Sequence, residues 1–140
     1  MKAVKGLAIG LVAITFAGAA MANLSSEWKQ TIEGDSHFVH TPTVSYSKTP
    51  QGEKRVKLWT IVNIEPAVDR GKTYRSMKSE ATINCDRRSI SSIMYAYEAS
   101  FARGAMVFGP VYNAEISIPP ETSADLMWRK YCKSWKNWFK

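Results

Sequence analysis

The chain has 140 residues, a formal net charge of +7 and 45% hydrophobic residues, and it contains two cysteines and two histidines. A chain of this length supports a single domain, and its sequence shows no internal repeat and no low-complexity linker. Length and composition therefore argue against a multidomain or repeat protein.

The first 22 residues have the pattern of a secretory signal peptide. Lys2 and Lys5 form a short positive region, and the uncharged, apolar and small residues 6–20 follow it. Ala20-Met21-Ala22 then has the A-x-A form of a cleavage site. The apolar run of about 15 residues is shorter than the roughly 20 residues of a membrane-spanning helix. We expect cleavage after Ala22, which leaves residues 23–140 as the domain and, with two lysines lost, lowers the formal charge from +7 to +5.

Cys85 and Cys132 both remain after the predicted cleavage. In the oxidising compartment that follows export, an even number of cysteines is expected to be paired. A disulfide between these two closes a long loop, and the chain-entropy model gives it a stabilisation of about 4 kcal/mol. The alternative is a pair of buried free thiols.

The start of the domain has a helical spacing, because Leu24, Trp28 and Ile32 lie at i, i+4 and i+8 and fit one or two helical turns. Five later segments favour β-strands, since they are rich in β-branched and aromatic residues and are bounded by turn signals. These segments are residues 38–46, 55–65, 74–85, 90–99 and 105–111, the last one broken at Gly109-Pro110.

Residues 55–65 predict the most buried strand of the domain. Side chains alternate along a strand, so Trp59 and Ile61 should lie on one face. The other face should hold Val56, Leu58, Thr60, Val62 and Ile64. After the last strand, Pro119-Pro120 cannot continue a hydrogen-bonded ladder and leads into the final segment.

Residues 121–140 predict an amphipathic helix. Thr122 and Asp125 have the spacing of a capping box at its start. The apolar side consists of Ala124, Met127, Trp128, Tyr131, Cys132, Trp135, Trp138 and Phe139. The opposite side is basic and consists of Arg129, Lys130, Lys133, Lys136 and Lys140.

Several short strands followed by one helix predict an α+β fold, in which a mostly antiparallel sheet has the C-terminal amphipathic helix packed on one face. Cys85 closes a strand and Cys132 lies on the apolar side of the helix. A disulfide between them would staple the helix to the sheet.

The sequence contains no pattern typical of an active site, a metal site or a cofactor site. His37 and His40 are three residues apart, so a strand would place them on opposite faces. Ser89, Ser91 and Ser92 lack the context of a nucleophile elbow. A disulfide sulfur carries no thiolate, which argues against a nucleophilic cysteine. We therefore expect a protein that is not an enzyme.

The basic side of the predicted helix is a candidate partner-binding surface. Cations beside aromatic rings bind acidic protein segments, anionic lipid or polyanionic glycans. The candidate residues are Arg129, Lys130, Lys133, Trp135, Lys136, Trp138 and Lys140. The alternative is that the cations are only the solvated side of a helix that docks through its tryptophans. If the aromatic residues beyond Cys132 overhang the sheet, they mark an interaction site or a homodimer interface.

Four stretches of this sequence together resemble the surface-adhesin protein E family of Gram-negative bacteria. They are Tyr74 to Cys85 with Arg87, the tyrosine strand Met94 to Tyr97, Ile118-Pro119-Pro120, and the helix that contains Cys132. Trp28 and the strand Val56 to Trp59 also look like that family, so the resemblance covers most of residues 28–132.

The resemblance implies a small sheet with a helix against it, a disulfide between Cys85 and Cys132, and display at the cell envelope. It also implies contact with host matrix or serum proteins such as vitronectin and laminin. The family's namesake is a lipoprotein, whereas this sequence has no cysteine at the predicted cleavage point. Our hypothesis is an exported, non-enzymatic binding protein of the cell envelope. The alternative is a periplasmic accessory or structural subunit that binds other envelope proteins, and export argues against a nucleic-acid partner in both cases.

Overall fold

The computed structural model describes residues 24–31 and 36–138, with side chains described as far as Lys133. The predicted signal peptide and its cleavage site lie outside these residues. Several other predicted positions also lie outside them, namely Ile32, the side chains of Trp135, Lys136 and Trp138, and the whole of Phe139 and Lys140.

The described part of the chain has six β-strands and one α-helix. They are β1 (Trp28–Gln30), β2 (His37–Lys48), β3 (Lys54–Asp69), β4 (Lys72–Asn84), β5 (Ser89–Ala99), β6 (Arg103–Ser117) and α1 (Ser123–Trp138). The strands form one sheet in the order β1-β2-β3-β4-β5-β6, and each strand is antiparallel to the next. Because the order in space equals the order in the chain, the sheet is a β-meander. The predicted α+β class with an antiparallel sheet is confirmed.

Two of the turns depend on particular residues. Between β3 and β4, Arg70 and Gly71 have φ angles of 49° and 79°, and two successive positive φ angles are typical of a type I′ hairpin loop. Between β4 and β5, the side-chain oxygen of Asn84 accepts hydrogen bonds from the backbone N–H groups of Asp86 and Arg87, at 3.1 and 2.9 Å. Such a side-chain bond stabilises a turn in place of a backbone bond.

One face of the sheet, which we call the helix face, holds the main core. The members of this core come from β2, β3, β4, the segment after β6, and α1. They are Val39, Val56, Leu58, Ala81, Ile83, Ile118, Met127 and Tyr131. Val56, Leu58 and Ile83 have no exposed surface. Val56 and Leu58 lie on this face of β3, and Ile61 lies on the other, as the alternation of residues 55–65 predicts.

The opposite face, which we call the open face, is covered at one end by the connection between β5 and β6. Phe101 lies in a short 3-10 turn, Ser100–Ala102, and its ring packs edge-on against Phe38 with ring centroids 5.6 Å apart. The backbone N–H of Phe101 donates to Asn63 Oδ1 at 2.7 Å, which holds the turn over the sheet. Phe38 and its partner Ile61 on β3 are therefore buried on this second face.

Cys85 directly follows β4, and it forms a disulfide with Cys132 of α1, with Cα atoms 5.6 Å apart. The described residues contain no free cysteine. The predicted disulfide is therefore confirmed, and the alternative of two free thiols is wrong.

Two predictions of secondary structure are wrong. Trp28 is not helical, because Trp28–Gln30 forms β1 and pairs with residues 38–40 of β2. Tertiary pairing along the edge of β2 outweighs the weak helical spacing of three apolar residues. The strands are also longer than predicted, and β6 continues through Gly109-Pro110. Its register with β5 shifts at this point, so a bulge absorbs the irregularity without ending the strand.

Candidate functional site

A buried carboxylate fixes the start of α1 to the sheet. The side chain of Asp125 is only 2% exposed and pairs with Arg88, next to β5, and with Arg129, one helical turn further on. Asp125 also accepts the backbone N–H of Glu121 at 3.1 Å. This N–H and the two guanidinium groups hold the pKa of Asp125 below its usual value, although burial acts in the opposite direction. Asp125 is therefore charged at neutral pH, and its ion pair with Arg88 holds the start of the helix against the turn between β4 and β5.

Two further contacts reach the helix from the same turn. The guanidinium carbon of Arg88 lies 4.5 Å from the ring centroid of Trp128, which is a cation–π distance. The indole N–H of Trp128 donates to the backbone oxygen of Cys85 at 3.1 Å. Together with the disulfide and the ion pair, these contacts attach α1 to the sheet. We call Cys85, Arg88, Asp125, Trp128 and Cys132 the helix anchor.

The predicted partner-binding residues that are described lie on the exposed side of α1. Arg129, Lys130 and Lys133 are exposed, and we call these three residues the helix basic face. Arg129 and Lys133 are one turn apart, so their charges are neighbours on the helix surface. Asp125 partly offsets the charge of Arg129. The other predicted members, Trp135, Lys136, Trp138 and Lys140, have side chains outside the described residues, and their role stays a prediction.

The open face carries a cluster of aromatic side chains that sequence reasoning did not single out. Trp28, His40 and Trp59 lie opposite one another on β1, β2 and β3. The ring centroids of Trp28 and His40 are 4.8 Å apart, and those of Trp59 and Tyr95 are 6.2 Å apart. Lys78 Nζ lies 5.9 Å from the Trp28 ring and 5.2 Å from the Trp59 ring. We call these five residues the aromatic cluster.

A shallow groove of about 410 Å³ lies beside this cluster, toward β6. Trp59, Glu80, Ile93 and Tyr112 are successive partners across β3, β4, β5 and β6, so one row of side chains connects the cluster to the groove. Glu80 forms an ion pair with Lys57 at 3.1 Å, and Tyr112 is 74% exposed at the far side. The polar lining also includes Thr82, Ser91, Ser92 and Asn113.

The edge strand β6 exposes several large apolar side chains, with exposed fractions between 37% and 74%. They are Met106, Val111, Tyr112 and Ile116. Natural edge strands are commonly protected by charged residues against pairing with another chain. In β6 only Arg103 and Glu115 are charged, so this edge is a second candidate interface.

Within the described ranges, no group of three or more histidine, cysteine, aspartate or glutamate side chains could hold a metal ion. His37 lies opposite Val62 and His40 opposite Trp59, so the two histidines lie on different faces of the sheet. No helix among the described residues is long and apolar enough to span a membrane.

Comparison with known proteins identifies the family. The family profile for surface-adhesin protein E matches residues 28–133. The chain belongs to the surface-adhesin protein E family. A search of curated proteins finds no significant match.

The fold of this family member is similar to solved structures of Haemophilus influenzae protein E. The selenomethionine form has a TM-score of 0.63 at 13% identity, and the match covers 84% of this chain and 94% of that chain. Crystal form II has a TM-score of 0.64 at 13% identity, with coverage of 81% and 93%. At this level of identity, the likeness establishes a shared fold.

The aromatic cluster was difficult to find from the sequence. The alternation of residues 55–65 already separates Trp59 from Val56 and Leu58, which indicates a second face with its own aromatic side chain. Lys78 and Tyr95 join Trp59 only through the register of β3, β4 and β5. A single sequence does not supply that register.

Proposed function

We propose that this member of the surface-adhesin protein E family is an exported, non-enzymatic protein of the cell envelope that acts by binding other proteins. The family match over residues 28–133 is the observation that supports this most strongly. In this proposal, residues 1–22 are a signal peptide and residues 23–140 form one domain displayed at the outer surface or released. Its partners are host matrix or serum proteins such as vitronectin and laminin.

The binding surface in this proposal is the helix basic face and its continuation toward the C-terminus. Met127 and Tyr131 of α1 lie in the core against the sheet, whereas Arg129, Lys130 and Lys133 are exposed. The helix anchor keeps this surface in one orientation, which reduces the entropy lost on binding. The cations steer acidic segments of the partner, and a polyanion such as heparin would compete for them. The continuation comprises Trp135, Lys136, Trp138 and Lys140.

Binding of purified residues 23–140 to immobilised vitronectin and laminin tests the host-protein partners, with serum albumin as the control surface. We expect saturable binding that weakens as salt is added, because the steering charges are exposed and screened. If neither host protein is bound above the albumin level, the assignment of host partners is wrong.

Protease treatment of intact cells tests the location. A surface-displayed protein is digested in intact cells, whereas a periplasmic accessory or structural subunit is digested only after the outer membrane has been permeabilised. Protection in intact cells would therefore favour the periplasmic subunit that binds other envelope proteins.

A homodimer through the edge of β6 is also part of the proposal. The exposed side chains of Val111 and Ile116 support it, because an apolar edge with few charges pairs readily with an antiparallel copy of itself. Such pairing leaves the helix basic face of both copies accessible, since α1 lies on a face of the sheet and not at this edge.

A further inference from the structure

The aromatic cluster holds a cation for which the described residues supply no acidic partner. Lys78 is half-buried, and its Nζ lies over the rings of Trp28 and Trp59. By contrast, Lys57 on the neighbouring strand is paired with Glu80 at 3.1 Å. An ammonium group in an aromatic setting, without a carboxylate, is suited to receive an anion from outside the domain.

The surroundings hold this ammonium group in place before any ligand arrives. Trp28 packs against His40, and both ring nitrogens of His40 are within hydrogen-bond distance of side-chain oxygens, of Glu27 at 3.0 Å and of Thr43 at 3.2 Å. Trp59 lies in a strand that is paired on both sides. Pre-organisation of a cation between fixed rings lowers the entropy lost when a ligand binds.

The groove beside the cluster determines which anion fits. On the open face it offers the hydroxyl groups of Thr82 and Ser91 and the carboxylate of Glu80, together with the exposed ring of Tyr112. A sugar ring has an apolar C–H face that packs on aromatic rings, and it has hydroxyl groups at its rim for polar side chains. The row from Trp59 on β3 to Tyr112 on β6 crosses three strand spacings, roughly 14 Å, which is long enough for an oligosaccharide.

We propose that the open face binds a carboxylated oligosaccharide, with the carboxylate on Lys78 and the sugar rings along the row from Trp59 to Tyr112. An acidic peptide fits less well, because an extended peptide binds a sheet through unpaired backbone groups. Here the backbone groups of β3, β4 and β5 are already paired with their neighbours. This site lies on the side of the sheet opposite α1 and does not depend on the helix basic face.

Calorimetry with purified residues 23–140 tests the proposal. The probes are a galacturonic acid tetramer, sialyllactose, and a neutral cellotetraose. We expect at least one carboxylated probe to bind and cellotetraose to bind at least about tenfold more weakly, the equivalent of one charge-assisted hydrogen bond. The variant Lys78→Met should bind the carboxylated probe about tenfold more weakly than the wild type does. The variant Lys72→Met, at an exposed lysine of the β3–β4 hairpin, should bind it as tightly as the wild type does.

A second variant at an exposed position is needed, because Lys78 is half-buried and its replacement can reduce folding as well as binding. Tyr112 is largely exposed, so Tyr112→Ala should keep the thermal unfolding curve and weaken binding about threefold to tenfold. Three results would overturn the proposal. They are failure of both carboxylated probes to bind, binding that neither variant changes, and equally tight binding of a poly-glutamate peptide with the same dependence on Lys78.

Discussion

Trp128 donates its indole N–H to the backbone oxygen of Cys85 at 3.1 Å, and the sulfur of the same Cys85 is bonded to Cys132, one turn further along α1. Arg88 adds the ion pair to Asp125 one turn earlier. Three successive turns of the helix are thus held by residues 85–88. The orientation of the helix basic face therefore depends on the turn between β4 and β5.

Loss of the disulfide should destabilise the domain strongly. The bond spans 47 residues, and the chain-entropy model gives about 4 kcal/mol for a loop of this length. We expect the double variant Cys85→Ala, Cys132→Ala to lose about this much free energy of unfolding in urea denaturation. Treatment of the wild type with a reducing agent should produce the same loss. Equal urea midpoints for the reduced and oxidised proteins would contradict this prediction.

The charge of Asp125 should make the free energy of unfolding depend on pH. The pKa of Asp125 is lower in the folded chain than the usual aspartate value of 3.8, so its contribution to the free energy of unfolding is complete above that pH and is lost as the pH falls through the folded pKa. The variant Asp125→Asn should therefore be less stable than the wild type at pH 7, and the difference should shrink below about pH 4. Urea denaturation at several pH values measures it. A difference that stays constant from pH 7 to pH 3 would show that the carboxylate charge is not responsible.

The variant Leu58→Ala should lose much more free energy of unfolding than a variant at an exposed position, because the helix face holds the main core. Leu58 has no exposed surface, and removal of such a side chain costs about 2–5 kcal/mol through lost burial and the cavity left behind. The matched control is Val68→Ala, at a position that is 69% exposed, where the change should stay within about 0.5 kcal/mol. Similar losses for both variants in denaturant titrations would be inconsistent with this core.

A charge on the edge of β6 should prevent self-association. Ile116 is 61% exposed, and a lysine there would place a charge in the apolar contact between two paired edges, which is how natural edge strands block pairing with another chain. We expect the wild type to sediment as a dimer and Ile116→Lys as a monomer. Val68→Lys changes an equally exposed residue far along the sheet and should remain dimeric. If the wild type is monomeric at all concentrations, the homodimer prediction is wrong.

Much of the fold follows from local patterns in the sequence. The alternation of residues 55–65 predicts which side chains of β3 share a face. The spacing of Thr122 and Asp125 predicts the start of α1, where Thr122 Oγ accepts the N–H of Asp125 at 3.2 Å. The even pair of cysteines in an exported chain predicts the disulfide. Each of these patterns lies within one segment of the sequence or follows from the chemistry of cysteine. None of them requires knowledge of which strand pairs with which.

The features that were missed depend on contacts between distant residues. The edge pairing of Trp28 with His40 makes β1 a strand despite its helical spacing. The ion pair between Arg88 and Asp125 joins residues 37 positions apart, and no local pattern connects them. The aromatic cluster likewise requires the register of five strands, β1 to β5, which the sequence leaves open.

The role of the helix basic face is tested most directly by two charge reversals, compared in the binding of residues 23–140 to vitronectin and laminin over a series of salt concentrations. Lys133→Glu changes the helix basic face, and Lys72→Glu changes an exposed lysine at the start of β4. We expect Lys133→Glu to weaken binding about twofold to fivefold at low salt and to flatten the salt dependence, while Lys72→Glu binds as the wild type does. Equal affinities and equal salt dependence for both variants would contradict the role of the helix basic face.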